Sequence, residues 1–385
     1  MNKKIFIIII VLVLIFLALF LFLREDEGKD VSAPTQKITE EQYQDGSSSD
    51  KEDGNEMPEL SVVADNLETP WSIVKLPNDN FLLTEREGQI RLVEANGDSE
   101  IIEVIEEAKE NGEGGLLGMT LHPEFKDNDL IYLYYTYQNE EGDKINKVIR
   151  ASYEDNNFTD IETIIDDIPG ALYHNGGRIA FGPNGHLFIT TGDAQKAEKA
   201  QDTDFLGGKI LRLDEDGNVV PGNPFDNEVY SYGHRNPQGI AWDDNGNLWA
   251  TEHGRSATDE LNLIKKGANY GWPTIIGSEE REGMETPVIN SGVDETWAPS
   301  GAAYYDENIF FVGLRGSTLY QASIEDIDDV TLTKHFAGEF GRLRDVMVDD
   351  DILYFISNNT DGRGNPSEND DKLYRLDLDR FLSEE

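Results

Sequence analysis

The residues best suited to chemistry stand in turns. His174 is followed by Asn175, Gly176, Gly177 and Arg178. Paired glycines let the backbone turn sharply and leave an imidazole exposed, and a histidine titrating near neutrality suits a general base. A loop histidine standing alone is more often a hydrogen-bonded structural group. Downstream, Arg235 and Asn236 sit in the segment YGHRNPQG, which leads into an apolar Ile240-Ala241-Trp242. Such a pair can hold a planar anionic or carbonyl-bearing ligand. Arg315, Arg342 and Arg344 occupy turns of the last third of the chain. The chain has 76 acidic against 32 basic residues, a formal charge of -44. An anionic ligand therefore needs a local basic cluster, although surface salt bridging is the usual fate of arginine. Gly254, Arg255, Glu260 and Tyr270 lie in a stretch rich in carboxylates and carbonyls, the hard oxygen donors that Ca²⁺ prefers. The spacing of an EF-hand is absent. Glu113 stands in a glycine-rich turn that lacks the Lys-Ser/Thr of a phosphate-binding loop and reads, alone, as a tight connection.

The elements that must position these groups form a repeat. An Asn/Asp/Gly turn leads into a short aromatic or aliphatic strand six times, at 80–84, 128–133, 184–189, 245–250, 308–312 and 351–355. Second strands are expected at 89–93, 145–152, 209–213, 261–265, 318–322 and 373–376. The intervals are close to the length of a four-stranded propeller blade. The pattern predicts an all-β, six-bladed β-propeller, closed by a strand near 60–63 pairing into the last blade. A β-sandwich or an irregular array is the alternative. Helical periodicity is confined to short stretches such as 101–109. A propeller gathers loops from every blade at the mouth of its channel, so residues distant in sequence can converge there.

Ahead of this body, Lys3 and Lys4 precede an unbroken apolar run at 5–23, long enough to span roughly 28 Å as a helix. It ends without the small residues of a cleavage site, which predicts an uncleaved transmembrane signal anchor. The lysines outweigh Arg24, so the body is expected outside the cytoplasm, anchored at the cell surface, or secreted where the segment is cleaved. Residues 24–58 are acidic and Ser/Gly-bearing and predict a disordered linker, with the folded body at 59–385. The acidity argues against a nucleic-acid partner. With no cysteine, disulfides, thiolate metal sites and cysteine nucleophiles are excluded.

Five phrases in series carry a resemblance: GEGGLLGMTLHPEF, HNGGRIAFGPNGHLFITTGD, LGGKILRLDEDGNVVPGNPF, YSYGHRNPQGIAWDDNGNLWATEHG with DELNLIKKGANYGWP, and GRLRDV. Together they resemble the glucose/sorbosone dehydrogenase family, soluble quinoproteins that oxidise aldose sugars with pyrroloquinoline quinone (PQQ). The resemblance implies a six-bladed propeller, in agreement with the repeat. It implies that His174 is the general base. It further implies that Arg235 and Asn236 contact the quinone, that Arg315 is a cation beside it, and that Arg342 and Arg344 hold its carboxylates. By the same resemblance, the carbonyls of Gly254 and Arg255 help hold a catalytic Ca²⁺, and Glu260 and Tyr270 hold a second, structural one. The implied reaction oxidises an aldose at C1 to the lactone and leaves electrons for an external acceptor. The chain departs from the family at Glu113, where Gln beside PQQ is common. His253 replaces a Gln, Arg255 a Pro, and Tyr173 stands where some members have Asp, which leaves the orienting partner of His174 open. A non-catalytic surface propeller binding glycan or protein, and a Ca²⁺-dependent lactone hydrolase, are the competing readings.

Overall fold

The computed structural model describes residues 60–383. The expected anchor (1–23) and linker (24–58) lie outside the described residues. Among the described residues no helix is long and apolar enough to cross a membrane.

The described residues form six four-stranded antiparallel sheets. The first blade contains β2–β5 (Pro70–Lys75, Phe81–Glu85, Gln89–Val93, Ser99–Val104), after the opening strand β1 (Leu60–Ala64). The second contains β6–β9 (Leu116–Leu121, Leu130–Gln138, Lys144–Glu154, Asn157–Pro169). The third contains β10–β13 (Ile179–Phe181, Leu187–Thr191, Lys209–Leu213, Val229–Tyr232). The fourth contains β14–β17 (Pro237–Trp242, Leu248–Glu252, Glu260–Ile264, Ile289–Asn290). The fifth contains β18–β21 (Pro299–Tyr305, Asn308–Gly313, Thr318–Ser323, Thr331–His335). The sixth joins β22–β24 (Leu343–Asp349, Ile352–Ser357, Leu373–Asp377) to the first strand of the body, β1 (Leu60–Ala64). The expected propeller and its closure are therefore both present: β1 runs antiparallel to β24, with Leu60 opposite Leu376 and Val62 opposite Tyr374.

Burial explains why the repeat is visible in the sequence. The second strand of each blade has sheet packed on both faces, so it needs apolar residues on both. β3, β11 and β15 are buried along their whole length, and β19 and β23 at all but the first residue. The outermost strands β5, β9 and β21 are mostly exposed and carry little pattern. That accounts for one correction: residues 101–109 are not helical. Their first half belongs to β5, in which β-branched Ile101 and Ile102 suit an edge strand better than a helix.

The first strands pack side by side around the centre, β2 against β6, β6 against β10, β14 against β18, β18 against β22 and β22 against β2, while β11 meets β14. In such a meander the segment leading into a blade's first strand and the turn joining its second and third strands lie at one end. The sequence-predicted site residues fall in these segments, apart from Arg344, which lies inside β22 and not in a turn, Glu260 at the start of β16 and Tyr270 after it.

Candidate functional site

His174 lies in the segment leading into β10, and Asp193 just after β11 of the same blade. The two segments touch through main chain. A Cβ on Gly192 would stand 1.9 Å from the His174 carbonyl oxygen, and His174 itself adopts a left-handed φ of 64°. Only glycine at 192 permits this approach. It sets His174 Nδ1 2.8 Å from Asp193 Oδ1. Asp193 is buried, and its carboxylate also accepts the main-chain N–H of Gln195 at 2.8 Å and the indole N–H of Trp272 at 2.8 Å. An acceptor so placed fixes the proton on His174 Nδ1 and leaves Nε2 free to take one. The imidazole side chain is 20% exposed, less open than its glycine neighbours suggest. Asp193 answers the question of the orienting partner. It ends the phrase quoted above, in the turn that follows β11.

Two further residues ahead of a first strand meet a carboxylate from the end of the second strand or the turn after it. His234, before β14, donates or accepts through Nδ1 at 2.8 Å from Glu252 at the end of β15. Arg342, before β22, reaches Asp361 after β23 at 2.7 Å. His234, however, is fully buried, has Nε2 on the Ser231 hydroxyl at 2.9 Å and stacks 4.6 Å from the Tyr270 ring. Both of its nitrogens are engaged within the fold, so it cannot exchange a proton with a ligand as His174 can.

The cations gather nearby. Arg235 lies 5.4 Å from the centre of the Trp272 ring and donates through Nη1 to the His253 carbonyl at 3.2 Å. Its main-chain N–H donates to Glu252, while its Nε is buried and unpaired. Burial lowers its pKa below the ordinary guanidinium value. Asn236 is buried and accepts the Gly176 N–H at 3.0 Å, which ties the Arg235 segment to the His174 segment; its Nδ2 is unpaired. Arg344, within β22, is 5% exposed. It donates to Gln238 Oε1 at 2.9 Å, its Nε is buried and unpaired, and among the described residues it makes no ion pair with a carboxylate. Burial, with Arg342 and Arg86 adding to it and Asp361 opposing, pushes Arg344 down to about 9. Arg178 takes a different part: it is buried in an ion pair with Asp345 at 2.8 Å, its guanidinium 4.5 Å from the Trp71 ring centre. Arg315 is exposed on the turn after β19, apart from the bonds that tie the others together.

A buried guanidinium without a carboxylate, beside unpaired donors on Arg235 and Asn236, is costly unless an anionic ligand completes it. The residues present therefore fit a carboxylate-bearing group such as PQQ. Glu113 is the exception in sign. Its Oε2 accepts the His174 N–H at 3.0 Å, and its Oε1 meets Arg363 Nη1 at 2.9 Å. Burial pushes the Glu113 pKa up, but the hydrogen bond from His174 and the charges of His253 and Arg363 outweigh it, and the net shift is downward.

Gly254, Arg255, Glu260 and Tyr270 line one cavity together with Arg235 and Glu252. Glu260 is pushed up to about 8 by burial and by the charge of Glu252 beside it. Asn262 donates through Nδ2 to Glu260 Oε2 at 3.0 Å, and its side-chain oxygen is buried and unpaired. Crowded negative charge and spare oxygens fit a hard cation. The Tyr270 hydroxyl is used up between the Leu263 carbonyl and the Lys265 N–H, at 2.6 and 2.8 Å, so its main-chain carbonyl is what it can offer. No three carboxylate or imidazole groups cluster as a metal centre among the described residues, so main-chain carbonyls would complete the set.

The sequence model of the glucose/sorbosone dehydrogenase family matches residues 67–375. The aldose sugar dehydrogenase YliI of Escherichia coli is 33% identical over 338 residues, covering 79% of this chain and 91% of that protein. Quinoprotein glucose dehydrogenase B of Acinetobacter calcoaceticus is 34% identical over 258 residues, 58% of this chain and 54% of that one. Among solved structures, the PQQ-bound aldose sugar dehydrogenase of Streptomyces coelicolor superposes with a TM-score of 0.78 at 38% identity, covering 83% of this chain and 97% of the other. With this propeller, these five phrases and a family match over most of its length, the chain belongs to the glucose/sorbosone dehydrogenases.

Proposed function

We propose that this chain oxidises an aldose at C1 to the lactone, with PQQ and Ca²⁺ bound at the channel mouth and His174 as general base. The chain is an oxidoreductase of the quinoprotein sugar-dehydrogenase class, as its relatives are. The observation that carries the finer reading is the His174–Asp193 couple, fastened through Asn236 to a group of partly unpaired cations. When bound, PQQ would supply a hydride acceptor and Ca²⁺ a Lewis acid.

The chain's own residues do the rest. Arg344, Arg342 and Arg235 supply the positive charge that an anionic cofactor needs against an overall charge of -44, with Asn236 as a donor and Arg315 as a further cation. The Gly254 and Arg255 carbonyls serve the catalytic cation, and Glu260 with the Tyr270 carbonyl the second. His174 Nε2 takes the proton of the C1 hydroxyl as the C1 hydride departs. Asp193 stabilises the imidazolium that results and holds its orientation, and Trp272 holds Asp193. An external acceptor must then collect the two electrons. Residues 1–23 would anchor the protein at the outer face of the membrane.

The test uses the full-length protein with PQQ and CaCl₂, following cofactor uptake by fluorescence and aldose oxidation by dye reduction. His174→Ala should bind PQQ as the unchanged protein does and lose about 10²–10⁴ in turnover. Turnover that survives His174→Ala removes the general base from this reading. Failure of the unchanged protein to bind PQQ at micromolar concentration removes the reading itself.

A further inference from the structure

We infer that Arg363 and Glu113 form a clasp across the channel mouth that positions His174, and that Arg363 is what allows a carboxylate to stand at 113. The inference rests on the site proposed above and concerns a residue outside the phrases that identify the family.

The clasp joins parts of the chain far apart. Glu113 precedes β6 of the second blade, His174 precedes β10 of the third, and Arg363 follows β23 of the sixth. The bond between Arg363 and Glu113 joins residues 250 positions apart, beside the sixth and the second blade. Its two carboxylate oxygens are divided between one partner on each side, the His174 main-chain N–H at 3.0 Å and Arg363 Nη1 at 2.9 Å. The main chain adds to the grip: Glu113 N donates to the Leu172 carbonyl at 2.8 Å, and a Cβ on Gly112 would lie 2.2 Å from that same oxygen. Arg363 is held in turn. Its N–H donates to Asp361 Oδ1 at 2.8 Å, while Asp361 Oδ2 binds Arg342 at 2.7 Å. Its guanidinium lies 5.7 Å from the centre of the Tyr173 ring. One turn after β23 thus ties a cation of the anion-binding group to the backbone of the candidate base.

Charge makes the two residues a unit. An ionised Glu113 in a site built for an anion repels the ligand unless a cation cancels it. Arg363 is the cation in contact with Glu113, Nη1 on Oε1 at 2.9 Å. A neutral glutamine at 113 would need no such partner. Arg363 is 47% exposed at its side chain, so its replacement removes the contact without emptying a core.

Three full-length proteins test this: unchanged, Arg363→Ala, and Arg363→Ala with Glu113→Gln. The first readout is hydrogen exchange of the His174 amide without any ligand. The second is PQQ affinity by fluorescence titration. Arg363→Ala should speed exchange of that amide about tenfold and weaken PQQ binding about tenfold, as expected for one polar group left unpaired. Adding Glu113→Gln should restore PQQ affinity to within about threefold, because the uncompensated charge is gone. Exchange and affinity both unmoved by Arg363→Ala would overturn the clasp. So would a double variant as weak as Arg363→Ala, which would mean that the guanidinium acts on the ligand alone. If the unchanged protein takes up no PQQ, the cofactor reading fails, while the exchange of the His174 amide still decides the clasp.

Discussion

His174 and His234 show how surroundings give one residue type two fates. Each has a carboxylate on Nδ1. His234 spends its second nitrogen on Ser231 inside the fold, whereas no bond within the fold holds His174 Nε2 among the described residues. The sequence could point to His174 by its glycines but not to Asp193 and Trp272, since these bonds join residues 19 and 79 positions apart. Arg363 was hidden for the same reason, and Arg178, which looked like another turn arginine, is spent on Asp345 in the channel wall. Glu260 offers a test at this scale. Its folded pKa of about 8 lies above the ordinary value of 4.5. The unfolded chain releases the proton first, so between these values folding takes one up, and stability falls as pH rises through the window. Without Ca²⁺, melting temperature should drop from pH 5 to pH 8, and Glu260→Gln should flatten that slope by on the order of 5 °C. Ca²⁺ added at pH 8 should recover the loss in the unchanged protein alone. A slope identical in the two proteins would show that Glu260 ionises like an exposed carboxylate.

At the scale of elements, the sequence revealed the second strands because burial on both faces forces an uninterrupted apolar run. It misread β5 because an edge strand is free to carry glutamates on either side of its isoleucines. The turns that make the site are legible only as glycines, and the reason for each is tertiary. Gly192 and Gly246 illustrate the difference. A Cβ at 192 meets the His174 carbonyl at 1.9 Å, while one at 246 meets nothing within 4 Å, though φ there is 77°. Gly192→Ala should therefore cost about 2–4 kcal/mol, or roughly 5–15 °C in melting temperature, and Gly246→Ala only about 1 kcal/mol. Turnover should fall in the first variant and hold in the second. Equal losses of stability would mean that the contact between the His174 and Asp193 segments yields easily.

At the scale of the whole molecule, a charge of -44 surrounds a mouth lined with arginines. An anionic cofactor is repelled at long range and attracted at short range. Salt with a Debye length near 10 Å screens the first more than the second. Raising ionic strength from about 0.01 to 0.1 M should therefore speed PQQ association by several-fold in stopped-flow measurements. A rate that falls with salt would show that the arginines dominate even at a distance. The pairing of β1 with β24 has a different consequence. It brings the first and last strands of the folded body side by side, so the six blades form a ring in which chain order is only a label. Cutting the chain at the Asp155–Asn156 turn between β8 and β9, on the end away from His174, and joining the strands that meet at Leu60 and Leu376 would leave every blade with its neighbours. The seam sits in the sixth blade by the accident of where the chain was opened, and the chemistry at the mouth is indifferent to it.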